Sequence, residues 1–344
     1  MGSTLSLLFV GDWLPRSGPD YRGLLGGHAA VGNLECAITA AIAATDKAYS
    51  VVRDPSIYAI VREAGLSALN LANNHTSDAG SSVVTGMADR LLAETGAAPY
   101  GLKRTPFAEL TIGTTRCAVV GCLERSHSRS ALLFPEEAVE AELRNLRGSY
   151  DAVFVTPHWG KEGEYTAYPS PQQRRLARRW IDAGAGGIFG HHPHAVQGKE
   201  VVNERPVFYS LGNFDFDHEE GRAYPITRFG LAVLLDPASP QQFAENYLSH
   251  EDGRPRLLAD DEAEPLRRQM TDISARISDP RKPWGLWSWA RSVGPVYIAK
   301  SGSSWRKRLS GRRLSLTTIK WLVWNCLPTT LLLRAGSLVD RTRD

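Results

Sequence analysis

The sequence has few cysteines and almost no net charge, and each of these features excludes a class of protein. Its four cysteines in 344 residues include no CxxC pair, which argues against a disulfide framework and fits a reducing compartment. Its net charge of +3 is too small for a dedicated nucleic-acid-binding protein. We therefore expect no nucleic acid among its partners.

Long hydrophobic runs are also missing. The apolar segment 5–10 lacks the basic flank and cleavage site of a signal peptide, so it is predicted to be the first β-strand. The most apolar stretch, 314–333, contains Lys320, Asn325 and Pro328, which a membrane span of about 20 residues tolerates poorly. We expect a cytoplasmic protein without signal peptide or transmembrane helix, with peripheral contact at the inner face of the membrane as an open alternative.

Short apolar runs alternate with helical patterns through the first two thirds of the chain. The predicted strands are rich in Val, Ile, Leu and Phe, and they are residues 5–10, 30–34, 66–71, 117–123, 152–156, 187–189, 207–211 and 229–235. Helices that follow proline or end at glycine are predicted between them, at residues 56–64, 81–94, 136–146 and 172–183. This alternation is typical of a layered α/β domain with buried strands.

The pattern weakens after about residue 237. We therefore predict a domain over residues 1–238 and an irregular, partly helical C-terminal extension over 239–344, with a helix at 261–277. The last 44 residues contain nine Lys and Arg against two Asp and Glu. Residues 305–333 combine this basic charge with tryptophan, which is typical of an interfacial membrane anchor. Packing on the protein's own core, or an oligomer contact, is an equally good interpretation.

Polar side chains follow several of the predicted buried strands at their carboxyl ends. They are Asp12, Glu35, Asn74, His75, His158, His191, His192 and His194. Ligand sites of α/β sheets lie at this edge, and carboxylate, amide and imidazole groups suit Mn, Fe or Zn. The sequence therefore predicts a centre for divalent metal ions, where two ions would activate water for hydrolysis.

Six segments occur in the order and spacing of the CapA family. They are GD (11–12), GNLE (32–35), NLANNHTSDAG (70–80), HWGKE (158–162), GHHPHAVQ (190–197) and FYSLGNF (208–214). The chain resembles this family over about residues 5–236. The family is associated with poly-γ-glutamate capsule synthesis and looks like a divergent branch of the calcineurin-like metallophosphoesterases. The resemblance implies their four-layer α/β/β/α sandwich.

The resemblance also implies a role for each polar residue of the centre. The ligands of two divalent ions would be Asp12, Glu35, Asn74, His158, His192 and His194, with Glu35 as the bridge. His75 would protonate the leaving oxygen. The residues that contact the ligands or the substrate would be Asp78, Glu162, His191 and Asn213.

Two departures from the family patterns affect these assignments. Leu14 stands where calcineurin-like enzymes carry a histidine, a loss that CapA proteins share, so one ion would be weakly held or absent. The HWGxE-Tyr run is lengthened here to HWGKEGEY. Glu164 is therefore an alternative to Glu162, although the spacing from His158 favours Glu162.

Each candidate also has a purely structural interpretation. Asp12 and Asn213 would stabilise turns, and Asp78 would be the N-cap of the helix that begins near residue 80. The arginines of the predicted helix at 172–183 are interpreted as a solvated helix face; they are Arg174, Arg175, Arg178 and Arg179. Trp159 is interpreted as a residue that packs beside the site.

The preferred hypothesis is a metal-dependent hydrolase of phosphate esters, acting on an anionic substrate. The first alternative is a non-enzymatic accessory protein that binds poly-γ-glutamate, an anionic polymer, or helps to export it. The second is metal-dependent hydrolysis of an amide in that polymer. The filled hydrolytic positions favour an enzyme.

Overall fold

The computed structural model describes residues 6–292, except 41–49, 126–129, 217–223, 251–252, 280, 282–284, 286–288 and 291. The chain divides into two compact units, Met1–Ala290 and Arg291–Asp344. The sheets and helices below all belong to the first unit. The predicted membrane-interfacial segment 305–333 lies outside the described residues. Within the part of the chain that the structure describes, every helix is too short or too polar to traverse a bilayer.

The first large sheet is a mixed sheet with a parallel centre. Its strands are β1 (Leu7–Trp13), β2 (Ala29–Leu34), β5 (Ala68–Asn70), β6 (Ala98–Tyr100), β13 (Asn213–Asp215), β14 (Phe229–Leu235), β15 (Phe243–Ser249) and β16 (Arg256–Leu257). They are ordered β16–β15–β14–β1–β2–β5–β6, and β13 pairs with β1. Strands β1, β2, β5 and β6 are parallel, so their carboxyl ends meet at one edge.

The second large sheet has the same kind of parallel centre. Its strands are β7 (Phe107–Ile112), β8 (Thr115–Leu123), β9 (Ala152–His158), β10 (Gly187–Phe189), β11 (Lys199–Val202) and β12 (Arg205–Phe208). They are ordered β11–β12–β10–β9–β8–β7, with antiparallel pairing only at the two edges. Strands β3 (Ala37–Ile38) and β4 (Val52–Arg53) form a separate small sheet.

The helices follow the punctuation of the sequence. They are α1 (Tyr21–Leu25), α2 (Ile57–Ala64), α3 (Ser81–Thr95), α4 (Val139–Leu146), α5 (Pro171–Asp182) and α6 (Asp260–Ser278). Helices α2 and α3 end at Gly65 and Gly96, both in the left-handed conformation that glycine adopts without strain. Helix α5 begins with a capping box between Ser170 and Gln173. The predicted start of α4 at Glu136 is instead a 3₁₀ turn.

Successive side chains of the buried strands point to opposite faces of each sheet, so both faces are covered and the domain has four layers. Leu7 and Phe9 of β1 belong to the core between the two sheets, where Phe9 stacks on Phe189 at 3.8 Å between ring centroids. Leu8 and Val10 belong to the core beneath α1, α2 and α3. A third core packs α4 and α5 on the outer face of the second sheet. The architecture is therefore the α/β/β/α sandwich predicted from the sequence.

The first sheet continues beyond residue 238, where the sequence analysis ended its first domain. Strand β15 pairs with β14 from Phe243 opposite Leu235 to Ser249 opposite Phe229. Helix α6 covers the helix predicted at 261–277, and its Met270 and Ile273 are buried in the core between the sheets.

Candidate metal centre

Polar side chains from both sheets meet at the carboxyl ends of the parallel strands. Asp12 lies on β1, Glu35 follows β2, and His158 ends β9. The strands approach closely here, because the amide of Asp12 donates to the carbonyl oxygen of Gly212 at 2.9 Å. A Cβ on Gly11 would lie only 2.1 Å from that oxygen, so the glycine of the GD segment is needed for the contact.

The ligand-type side chains form two overlapping groups. The first is Glu35, His158 and His192, and the second is Asp12, Glu35 and His194. In each group the ligand atoms lie within 4.8 Å of one another, and every member is buried. Glu35 belongs to both groups, so a side chain in its position can contact two neighbouring ions.

Glu35 is a fully buried carboxylate surrounded by imidazoles. Its Oε1 lies 3.6 Å from His158 Nε2, 3.7 Å from His194 Nε2 and 4.0 Å from His75 Nε2. Neither carboxylate oxygen accepts a hydrogen bond from the residues that the structure describes. Burial raises the pKa of Glu35 well above its usual range, and the nearby carboxylate of Asp12 raises it further. Buried carboxylates are normally paired or bound to metal, so these surroundings suit a bound cation.

Asp12 is buried in a different setting, surrounded by donors. It accepts hydrogen bonds from Asn33 Nδ2 at 2.9 Å and from the His192 amide at 3.1 Å. His191 Nδ1 and His194 Nδ1 lie 3.3 and 3.4 Å from its oxygens. Burial alone would raise the pKa of Asp12, but His191 and His194 lower it below its ordinary value. These donors therefore favour the ionised form of Asp12.

Hydrogen bonds to carbonyl and carboxylate oxygens fix how two of the imidazoles face Glu35. His75 Nδ1 lies 2.6 Å from Asp78 Oδ2, and an ionised carboxylate only accepts, so Nδ1 carries the proton. Asn213 donates to the Thr227 carbonyl at 3.0 Å, which turns its Oδ1 toward His194 Nδ1 at 2.9 Å. Both Nε2 lone pairs therefore face Glu35. Either a further proton or a cation must lie between these groups, and the donor set suits a divalent transition metal.

The remaining candidates lie around this core. Asn74 Oδ1 is 2.6 Å from His158 Nε2. Asp78 does not cap α3; besides His75 it accepts the Val51 amide at 2.7 Å, and Gly80 is the N-cap of that helix. The side chain of Glu162 lies outside the described residues. Glu164 Oε2, the alternative at this position, is 3.9 Å from His192 Nε2.

One structural assignment made from the sequence is wrong. Arg174 does not belong to a solvated helix face, because it is buried and donates to both carboxylate oxygens of Glu200 at 2.7 and 2.6 Å. Its partner lies 26 residues away on β11, so no local pattern reveals the pair. Arg178 and Arg179 are more than half exposed, as the sequence predicts. Trp159 stacks on Trp180 of α5 at 5.3 Å.

Two buried asparagines, Asn33 and Asn73, were missed by the sequence analysis. Asn33 lies on β2 among apolar neighbours, and Asn73 precedes the predicted ligand Asn74. Both are fully buried. An amide inside an otherwise apolar strand was the available signal, because a buried amide must find partners.

The family model described as "Bacterial capsule synthesis protein PGA_cap" matches residues 22–218. The capsule biosynthesis protein CapA of Bacillus anthracis is 34% identical over 173 residues, which are 46% of this chain and 42% of that protein. The PGA biosynthesis protein CapA of Bacillus subtilis is 35% identical over 175 residues, 46% of this chain and 44% of that protein. These matches confirm the resemblance to CapA, and the chain spans less than half the length of both relatives.

A probable polyglutamine synthesis accessory protein of Mycobacterium tuberculosis is 27% identical over 236 residues, 60% of this chain and 62% of that protein. Among solved structures, a phosphatase from Mycoplasma pneumoniae aligns with a TM-score of 0.48 and 11% identity, over 78% of this chain and all of that one. A putative 5′-nucleotidase from Staphylococcus aureus aligns with a TM-score of 0.45 and 12% identity, over 78% of this chain and 58% of that one. Because the family model covers more than half of the chain, the protein belongs to the bacterial capsule synthesis PGA_cap family.

Proposed function

We propose that this chain is a metal-dependent hydrolase that cleaves phosphate esters. The observation that carries the proposal is the environment of Glu35, a fully buried carboxylate whose Oε1 lies 3.6–4.0 Å from three imidazole nitrogens. A purely structural role would not account for a carboxyl group that is fully buried and accepts no hydrogen bond among the described residues. A centre for divalent ions accounts for it.

The proposed ligands are Asp12, Glu35, Asn74, His158, His192 and His194. Divalent cations held by them would polarise a phosphoryl oxygen and lower the pKa of water. We propose two ions, because the two ligand groups share Glu35, and Mn, Fe and Zn all suit the donor set.

His75 is the proposed proton donor to the leaving oxygen. Its side chain is one-tenth exposed, which is more than the side chains of the proposed ligands His158 and His194. Asp78 accepts the Nδ1 proton and so fixes the orientation of the ring, and the proton that passes to the leaving oxygen would be carried on Nε2, the nitrogen that faces the centre. General acid catalysis of this kind contributes about 10²–10⁴-fold to the rate.

The names of the relatives suggest a biological setting. Two are named for capsule or PGA biosynthesis and one as a synthesis accessory protein. We therefore propose that the substrate is anionic and belongs to the assembly of such a polymer. Binding of the polymer without hydrolysis, and hydrolysis of its amide bonds, are the competing outcomes of the test below.

The test combines metal analysis with hydrolysis assays on the full chain purified without chelator. We expect one to two equivalents of a transition metal per chain and hydrolysis of p-nitrophenyl phosphate or bis(p-nitrophenyl) phosphate. Glu35→Gln should lose the metal, and His75→Gln should keep it while kcat falls about 10²–10⁴-fold. His28→Gln is the matched control, since His28 is a half-buried histidine in the loop after α1.

Two results would overturn the proposal. A wild-type chain that holds no metal after exposure to Mn²⁺ or Zn²⁺ would rule out a metal-dependent mechanism. A metal-loaded chain that leaves both phosphate esters intact, yet binds or shortens poly-γ-glutamate, would replace phosphate-ester hydrolysis by one of the competing functions.

A further inference from the structure

Asn33 and Asn73 form a network of amide hydrogen bonds beneath the metal centre. Both side chains are fully buried. Asn73 Nδ2 lies 3.3 Å from Asn33 Oδ1, so the two amides are joined to each other. Each then makes further bonds to elements that carry proposed ligands.

Asn33 connects the two sheets. Its Nδ2 donates to Asp12 Oδ1 at 2.9 Å and lies 3.3 Å from His158 Nδ1. Asp12 belongs to the first sheet and His158 to the second. One amide group therefore sets the spacing between a carboxylate and an imidazole that come from different sheets.

Asn73 connects the end of β2 to the turn that carries Asn74 and His75. Its Nδ2 donates to the Leu34 carbonyl at 2.8 Å, directly before Glu35. Its Oδ1 accepts from the amides of His75 and Thr76 at 3.1 and 2.9 Å, and from the Thr76 hydroxyl at 2.9 Å. The turn is thus closed by one side chain that is also anchored beside Glu35.

We propose that Asn33 and Asn73 are positioning residues, which fix the ligand side chains of four strand ends relative to one another. The inference rests on the proposed function, because positioning has a purpose only if the centre binds metal. Groups that hold metal ligands in place typically change metal affinity or activity by about 10–100-fold when they are removed. We expect that loss for Asn33→Ala and for Asn73→Ala.

A third buried asparagine provides the matched control. Asn70 is equally buried at the end of β5. Its hydrogen bonds among the described residues run to backbone groups, from Nδ2 to the Thr156 carbonyl at 3.0 Å and from the Ala72 amide to Oδ1 at 2.9 Å. Asn70→Ala should lower thermal stability and leave metal affinity unchanged.

The experiment is equilibrium dialysis of wild type, Asn33→Ala, Asn73→Ala and Asn70→Ala against Zn²⁺ and Mn²⁺, with thermal unfolding of each in EDTA. A loss of at least tenfold in affinity for the first two variants, without a loss for Asn70→Ala, supports the inference. Equal affinities in all four proteins overturn it, as does an equal loss in all three variants, which would follow stability alone.

Asn73→Asp guards against misfolding of the alanine variants. Aspartate keeps the acceptor for the His75 and Thr76 groups and loses the donors to Leu34 and Asn33. We expect it to retain the turn and still lose affinity, and an unchanged affinity would overturn the inference. Wild type that binds neither ion overturns the proposed function itself, so failures at the two levels are distinguishable.

Discussion

Two buried glutamates, Glu35 and Glu200, have opposite surroundings, so their replacement by glutamine should change the stability of the protein in opposite directions. Glu35 is fully buried, and its carboxylate accepts no hydrogen bond among the described residues. Glu200 is also buried, but it accepts two hydrogen bonds from Arg174 and one from Tyr209, all at 2.6–2.7 Å. We expect Glu35→Gln to stabilise the metal-free protein and Glu200→Gln to destabilise it.

The magnitudes follow from these contacts. Burial raises the pKa of Glu35 well above its usual range, so the metal-free protein must either keep an unpaired buried carboxylate or bind a proton to it, and both are unfavourable. Gln has nearly the same volume and needs neither, and since a buried polar group without a partner costs about 1–3 kcal/mol, we expect a gain of up to that size. Replacing Glu200 leaves the Arg174 guanidinium buried without a counter-charge. Breaking a buried pair in this way costs about 3–5 kcal/mol.

The assay is denaturant unfolding of wild type and both variants in EDTA, followed by repetition with Zn²⁺ or Mn²⁺. A metal at about 1,000 times its dissociation constant raises the unfolding free energy by about 4.1 kcal/mol, which exceeds the gain expected for Glu35→Gln. Wild type and Glu200→Gln should show this rise, and Glu35→Gln should not. Metal therefore reverses the stability order of wild type and Glu35→Gln.

One outcome would refute the reasoning. If Glu35→Gln in EDTA loses as much free energy of unfolding as Glu200→Gln, then Glu35 makes favourable native interactions without metal. Its surroundings would then be a structural network, and the main support for the metal centre would be lost.

Three further predictions concern other positions. Asp78→Asn should lower kcat about 10–100-fold with little change in KM, measured by steady-state kinetics, because it no longer orients His75. Gly11→Ala should lower the free energy of unfolding by about 1–3 kcal/mol in denaturant titration, since its Cβ would lie 2.1 Å from a carbonyl oxygen. Gly86→Ala on α3, where the Cβ would meet open space, should raise it by about 0.5–1 kcal/mol. Burial would raise the pKa of Glu200, but its hydrogen bonds lower it below the ordinary value of 4.5. The difference in unfolding free energy between wild type and Glu200→Gln, measured as a function of pH, should therefore be fully present above about pH 4.5 and should decline as the pH falls through the folded-state pKa.

The layers and the edge that holds the centre were predictable because buried strands have a strong local signature. Continuous apolar runs between turn residues identify β1, β8, β9 and β14, and parallel strands bring their carboxyl ends together. The strands β7 and β15 lack this signature and were therefore not predicted. Both lie at or next to a sheet edge. Three exposed or half-buried residues separate Ala108 from Ile112 in β7, and the first four residues of β15 are exposed or half-buried, so neither presents a continuous apolar run.

Partners far apart in sequence were not predictable from local patterns. Arg174 is one of four arginines on α5, and only the fold shows that it faces Glu200. Asn33 and Asp12 are 21 residues apart, and Asn33 and His158 are 125 apart. Spacing favours Glu162, whose side chain lies outside the described residues, so that prediction stands beside the alternative Glu164, which lies 3.9 Å from His192. Each of these contacts depends on tertiary structure, on strand pairing for Asn33 with Asp12 and on the packing of the two sheets for Asn33 with His158.

Backbone strain in this fold is concentrated beside the centre. Five non-glycine residues among those described have positive φ. Asn203 and Glu204 form the two-residue turn between β11 and β12, where positive φ matches the twist of a hairpin. The other three are Tyr165, His192 and His194, at φ of 62°, 94° and 53°, and no hairpin requires them.

Such conformations cost about 1–3 kcal/mol each and persist only where surrounding contacts enforce them. The contacts here are the Tyr165 amide to the Pro193 carbonyl at 2.8 Å, the His192 amide to Asp12 at 3.1 Å, and His194 to Asn213 at 2.9 Å. Two of the three involve proposed ligands directly. The strain therefore lies on the residues whose imidazoles must converge on Glu35, as expected of a segment shaped for a site rather than for stability.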